Sequence, residues 1–163
     1  MPKRIVFSML AAALVAAPLS AAAPGVRSSA SAAARLKVAY NKKLKRSIVV
    51  DARGMSLYMF ARETKGYAVC TPQRDRPCAA VWLALKTTDQ PTAGRGISAS
   101  LVGGAAWPNG TLQVSYNNHP LYYFHGGRGL PEGDRKPVQI RGQGIGALWW
   151  VLSPKGKPIK KIP

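Results

Sequence analysis

The sequence has 163 residues, with 24 Lys and Arg against 6 Asp and Glu, and a formal net charge of +18. Its 47% hydrophobic content suits one packed domain and excludes a disordered chain, and its length excludes a two-domain enzyme. Two Cys cannot build a disulfide-dense scaffold, and two His with six carboxylates leave little material for acid–base or metal chemistry.

Lys3 and Arg4 precede an apolar run, Ile5–Leu19, broken only by Ser8 and Pro18. Ser20-Ala21-Ala22 then supplies the small residues that a signal peptidase needs. The run is shorter than the ~20 residues of a stable membrane span. Residues 1–22 therefore read as a signal peptide, no Cys near the cut is available for acylation, and no transmembrane span remains after processing. The expected location is periplasmic or secreted.

Residues 23–36 form an Ala/Ser-rich stretch with no amphipathic pattern, expected as a flexible leader. Residues 37–156 are the expected β-repeat domain and 157–163 a basic tail. Leu36, Val38 and Tyr40 alternate before a cluster of cations, which predicts a strand followed by a basic turn.

The strongest internal signal is a repeat at an offset of 64 residues, laying Val50–Phe60 over Val114–Phe124 without a gap. Both copies end in Leu-Tyr-x-Phe: Leu57, Tyr58 and Phe60, then Leu121, Tyr122 and Phe124. Each has a turn at its middle, Arg53-Gly54 or Asn117-Asn118. Asn and Gly tolerate the positive φ of a two-residue hairpin turn, whereas Arg53 fits less well and allows a longer loop. Two-residue turns pair Tyr116 with His119, Val114 with Leu121 and Leu112 with Tyr123, and Val50 with Leu57 and Ile48 with Met59. Large apolar groups on both faces predict sheets covered on both sides. A short helix is expected over Cys78–Leu85, a turn at Pro108-Asn109-Gly110, and a last strand over Gly146–Ser153. The fold class is all-β, a single domain of two related β-hairpin repeats with one short helix near the Cys pair.

Four motifs carry a resemblance: Val50-Asp51-x-x-Gly54-x-x-Leu57-Tyr58-x-Phe60, Cys78-Ala79-Ala80-x-Trp82, Tyr116-x-x-x-Pro120-Leu121-Tyr122-x-Phe124, and Gly142-Gln143-Gly144-x-Gly146-x-x-Trp149-Trp150-x-x-Ser153-Pro154. In this order they resemble the bacterial family of secreted repeats of unknown function, predicted lipoproteins and secreted proteins with a Tyr-x-aromatic-x-x-Asp motif. Glu63 stands where the acid of the first motif falls, and Gly127 takes that place in the second. The resemblance implies fold and compartment and brings no established activity.

Cys70 and Cys78 are the only thiols, and export favours a bridge closing about nine residues, worth roughly 2–3 kcal/mol by chain entropy. Seven intervening residues do not suit a redox dithiol. His119 and His125, six residues apart on one expected strand, would be about 20 Å apart and could not share an ion. A weak copper site using Met55, Met59 or a Tyr is the minor alternative. Gly142-Gln143-Gly144-Ile145-Gly146 lacks the spacing of a dinucleotide loop and reads as a bend with close backbone approach. Glu132 and Asp134, flanked by Arg128, Arg135 and Lys136, read as a solvated loop network. No catalytic constellation emerges, so the chain reads as non-enzymatic, with no cofactor and no metal.

Charge is the remaining functional feature. Removing residues 1–22 takes away only Lys3 and Arg4 and leaves +16. Lys37, Lys42, Lys43, Lys45 and Arg46 cluster near one end, and Lys155, Lys157, Lys160 and Lys161 at the other. These are the expected anion-binding residues, with anionic envelope polymers or a lipid surface as partners and non-specific nucleic acid a further option. The competing class is a redox or metal-linked periplasmic accessory built on Tyr, Trp, His and Met.

Cleavage should place the mature N-terminus at Ala23 or within a few residues of it. Intact mass of the exported protein checks this, and full-length chain in the membrane fraction would contradict it.

Overall fold

Strands β1 (Arg35–Asn41) and β2 (Arg46–Asp51) form an antiparallel hairpin in a computed structural model that describes residues 33–63, 66–107 and 109–163. The expected signal peptide and most of the expected leader lie outside the described residues. Two residues of the expected leader, Arg35 and Leu36, belong to β1, and Leu36 is fully buried among Val49, Leu57 and Leu152. Between β1 and β2, Asn41 Oδ1 accepts the Leu44 amide at 2.8 Å, which closes the basic turn while Leu44 sinks into the core.

The second copy repeats this plan. After the short strands β5 (Lys86–Thr87) and β6 (Thr92–Ala93), strands β7 (Val102–Ala106) and β8 (Leu112–Tyr116) pair antiparallel, and Tyr116 then meets His119 of β9 (His119–Pro120) across Asn117-Asn118, as expected. Both Asn residues have positive φ, 49° and 62°, the requirement of the tight primed turn. In the first copy Gly54 has φ 89° and the Asp51 amide donates to the Met55 carbonyl at 3.0 Å, so three residues form the loop. Val50 consequently faces Ser56 rather than Leu57, one residue away from the gapless register.

Beyond these first contacts the expected hairpins do not continue. Leu112 does not meet Tyr123, nor Ile48 Met59. After Ser56 and after Leu121 each returning chain leaves its hairpin and enters a separate central sheet. There β3 (Tyr58–Phe60) and β10 (Tyr122–Phe124) pair antiparallel, with Tyr58 opposite Tyr122. The flanking strands are exchanged: β4 (Trp82–Ala84) from the first copy pairs with β10, and β11 (Trp149–Val151) from the second pairs with β3. The sheet order is β11-β3-β10-β4. Chain beyond these strands takes the hydrogen bonds that the hairpins gave up. Val49 donates to Leu152 at 2.9 Å, and Val114 to Leu85 at 2.8 Å.

The physical reason lies in the Leu-Tyr-x-Phe segments, whose successive residues are large and apolar. Such a strand needs cover on both faces, which a two-stranded surface hairpin cannot give. In the central sheet Tyr58, Phe60, Tyr122, Phe124, Trp149 and Val151 face one core, and Leu57, Met59, Leu121, Trp150 and Leu152 face the other. On the first face the rings form a row. Phe60 stacks on Trp149 at 4.4 Å, Trp149 on Trp82 at 3.8 Å, and Trp82 lies 4.7 Å from Phe124. Gly142 permits this density, since a Cβ there would meet Trp82 at 2.7 Å and Phe124 at 2.8 Å.

Two further elements differ from expectation. The helix, α1, spans Arg76–Val81 rather than Cys78–Leu85, with Asp75 accepting the Cys78 amide at 3.0 Å and Pro77 in its first turn. It stops at Trp82 because that residue enters the sheet. The last strand is only Trp149–Val151, since Gly144 and Gly146 have φ 81° and 60° and cannot be extended. The all-β class holds. Cys70 and Cys78 are joined by a disulfide, their Cα atoms 5.4 Å apart.

Trp82→Ala should destabilise by roughly 3–5 kcal/mol, against roughly 2–3 kcal/mol for Cys70→Ser with Cys78→Ser. Denaturant unfolding measures both. A larger loss from the disulfide would mean that the ring row is not the main source of stability.

Candidate functional site

Sequence alignment leaves the second motif without its acid, with Gly127 at the expected place. The structure supplies one from further along the chain. The Glu63 amide donates to the Phe60 carbonyl and the Asp134 amide to the Phe124 carbonyl, both at 3.0 Å, so Asp134 stands in the second copy where Glu63 stands in the first. Residues 126–133 form an inserted loop before it, closed by a bridge between Gly126 and Glu132. Asp134 was expected in a solvated network beside Glu132. Instead its side chain turns inward.

The acids are used crosswise. The Tyr122 hydroxyl donates to Glu63 Oε1, and the Tyr58 hydroxyl to Asp134 Oδ2, each at 2.6 Å. Backbone amides also donate to each carboxylate: Val69 and Cys70 to Glu63 Oε1, and Arg141 to Asp134 Oδ1. Glu63 Oε2 is buried and has no partner among the described residues. Burial raises both carboxyl groups above their ordinary range. Burial, with the facing carboxylate second, also pushes both phenols up, so neither Tyr ionises near neutral pH. Tyr58, Tyr122 and Glu63 are locked beneath the surface, and Asp134 is half-buried at the edge of an open pocket.

The remaining acids are also engaged. Asp51 accepts from Arg53 Nε, the Met55 amide and the Tyr123 hydroxyl, Asp75 caps α1, and Asp89 accepts from Thr88. Glu132 pairs with Arg141 at 2.8 Å. Among the described residues only two ion pairs form, Arg53–Asp51 and Arg141–Glu132.

The fold brings much of the two basic segments together. Pro158 bridges to Leu152, Ile159 is buried, and Gln143 Nε2 donates to the carbonyls of Ile159 and Lys161. Residues 157–161 are thus pinned to the domain rather than extending from it as a tail. Lys161 Nζ lies 3.4 Å from the Leu44 carbonyl, inside the basic turn. Arg46, Lys157, Lys160 and Lys161 line one groove of about 380 Å³. Lys42 and Lys43 line another, of about 410 Å³, with Tyr40 and Arg141. Lys37, half-buried on β1, and the exposed Lys45 and Lys155 line neither. Arg141 escaped sequence reasoning because nothing in the chain signals its approach to the turn.

The repeat-motif residues Leu57, Tyr58, Phe60, Leu121, Tyr122 and Phe124 are all buried. His119 lies partly buried in its hairpin, and burial lowers its pKa; His125 is exposed. Among the described residues no three His, Cys, Asp or Glu side chains gather as a metal-binding group. No helix among them is long and apolar enough to cross a membrane.

Residues 105–153, running from the end of β7 through β11, match the model of a family described as a secreted repeat of unknown function. This stretch is the second copy. Neither a curated protein nor a solved structure matches the chain.

Raised carboxyl pKa values favour the protonated acids in the folded state. Their contribution to stability is complete below the unfolded values, 4.5 for Glu63 and 3.8 for Asp134, and is lost as pH rises through the folded ones. Thermal unfolding between pH 4 and 7 should therefore show Glu63→Gln gaining on the native protein as pH rises. Tyr122→Phe, which takes one donor from the buried Glu63 carboxyl, should cost roughly 0.5–1.5 kcal/mol. A pH-independent difference between the native and Glu63→Gln proteins would remove the burial argument.

Proposed function

We propose that this is an exported, non-enzymatic β-repeat protein that binds anionic cell-envelope material through the face around the Asn41–Arg46 turn. The observation that carries this reading is the distribution of charge. The chain is built with a +18 excess, and its six acids are engaged in hydrogen bonds, several of them in the interior. That leaves most cations with no anion of the protein's own to meet. Lys42, Lys43 and Arg46 come from one end of the sequence and Lys157, Lys160 and Lys161 from the other, yet they share one region.

A polyanion binding there would release its condensed counterions, so affinity would follow salt concentration rather than a single contact. Export to the periplasm or medium, supported by the signal-like N-terminus and by the secreted-repeat match, places such polymers within reach. Attraction over ~30 Å at 0.01 M salt and ~8 Å at 0.15 M would govern encounter.

Salt titration of the mature protein on lipopolysaccharide, teichoic acid and anionic vesicles tests this reading. Apparent affinity should fall steeply and log-linearly with salt. Lys157→Gln, Lys160→Gln and Lys161→Gln combined should weaken it at least tenfold at 0.1 M salt, with the fold intact. Salt-independent binding, or no binding at 0.01 M salt, would overturn the proposal.

A further inference from the structure

The two basic grooves do not lie at separate places on the surface. Asn41 lines the first, with Lys42 and Lys43, and Arg46 the second, with Lys157 and Lys160, and Asn41 and Arg46 are direct partners across the β1–β2 hairpin. Antiparallel partners have Cα atoms about 5 Å apart, so the grooves meet at the base of a single turn. Lys161, reaching the Leu44 carbonyl, ties the second groove to that turn from outside. No acidic side chain lines either groove. Arg141 alone among their cations is shared with an acid, Glu132, whose oxygen is exposed and can be displaced by a stronger anion. The Tyr40 ring stands 57% exposed at the edge of the first groove.

We infer that the two grooves form one continuous tract for a flexible, linear phosphodiester polymer that crosses the Asn41–Arg46 turn. The inference rests on the anion-binding reading and goes further by naming the class of polymer. Each groove is large enough for a short stretch of chain and small for a folded domain. Anionic groups on a planar bilayer are confined to one surface and cannot descend into two concavities on either side of a turn. A rigid duplex holds its phosphates on a fixed convex helix and meets the same obstacle. A flexible strand can bend over the turn and place phosphates on Lys42 and Lys43 on one side, and on Arg46, Lys157 and Lys160 on the other. Tyr40 supplies an apolar face for the carbons of a sugar, a polyol or a base between phosphates.

Occupying both grooves with one molecule makes the second contact intramolecular, so length matters more than local chemistry. A polymer long enough to span the turn should bind about 100-fold more tightly than a fragment filling one groove.

The test uses the mature protein with poly(glycerol phosphate), single-stranded oligothymidylate, a 20-base-pair duplex and phosphatidylglycerol vesicles, at matched phosphate and 0.1 M salt. Lys42→Gln with Lys43→Gln removes two charges from the first groove, and Lys157→Gln with Lys160→Gln two from the second. Arg95→Gln with Arg128→Gln removes two exposed charges that line neither groove. Each groove pair should weaken the long flexible polymers at least tenfold, the control pair less than threefold. Trimers of the same polymers should lose the length advantage. The two flexible probes distinguish an envelope polymer from a single-stranded nucleic acid as the preferred source of that chemistry.

Tighter binding to vesicles or duplex would overturn the tract, as would equal loss in the control pair or equal affinity for trimer and polymer. Each of those results still leaves a polyanion binder. No binding to any probe at 0.01 M salt would instead defeat the anion-binding reading beneath it.

Discussion

Tyr58 and Tyr122 face each other at the centre of the molecule, and each donates its hydroxyl to a carboxylate from the other copy. Antiparallel pairing at equivalent residues makes the contact self-complementary: what the first copy does to the second, the second does to the first. Exchange of β4 and β11 follows from it, because the strand beside each Tyr must come from the copy that holds the facing acid. Trp82 and Trp149 then meet across the same centre and stack at 3.8 Å. One copy alone would leave its Tyr hydroxyl without an acceptor and its Trp without the stacked ring of the other copy. A buried donor without a partner costs about 1–3 kcal/mol, and the loss of ring packing adds to it. The two copies therefore depend on each other for both polar satisfaction and packing.

This arrangement also shapes the surface. Glu63 and Asp134 point into the fold as acceptors for the crossed pairs, and Asp51 and Asp75 hold a loop and a helix end. A chain with only six acids that commits them to its own architecture has few left to balance its cations. The basic character of the exterior is thus partly a consequence of how the interior is satisfied. Pinning residues 157–161 through Gln143 and Ile159 then concentrates that excess beside the basic turn.

The Leu-Tyr-x-Phe repeat was legible because its residues are local and ordered. The turn at Asn117-Asn118 was equally legible, since few residue types accept positive φ at two successive positions. The one-residue shift in the first copy traces to Arg53, which lacks that tolerance and so lengthens the loop. Asp134 was not legible. An inserted loop moved the second acid away from its motif position, and a gapless comparison reads Gly127 there. Cys78–Leu85 misled for a related reason: its Ala residues favour a helix, but burial of Trp82 against Phe124 and Trp149 outweighs the few tenths of a kcal/mol that propensity supplies.

By itself, the sequence determined the all-β class, the recurring Leu-Tyr-x-Phe motif and the basic excess, and it predicts an export signal. Each of these is a matter of local pattern or composition, which requires no knowledge of distant contacts. Only the tertiary structure decided that the copies exchange strands, that Asp134 replaces the missing acid, and that the two ends of the chain share a basic face. Those outcomes depend on residues about 40 to 120 positions apart, held by burial of both faces of the central sheet and by hydrogen bonds that no local pattern encodes.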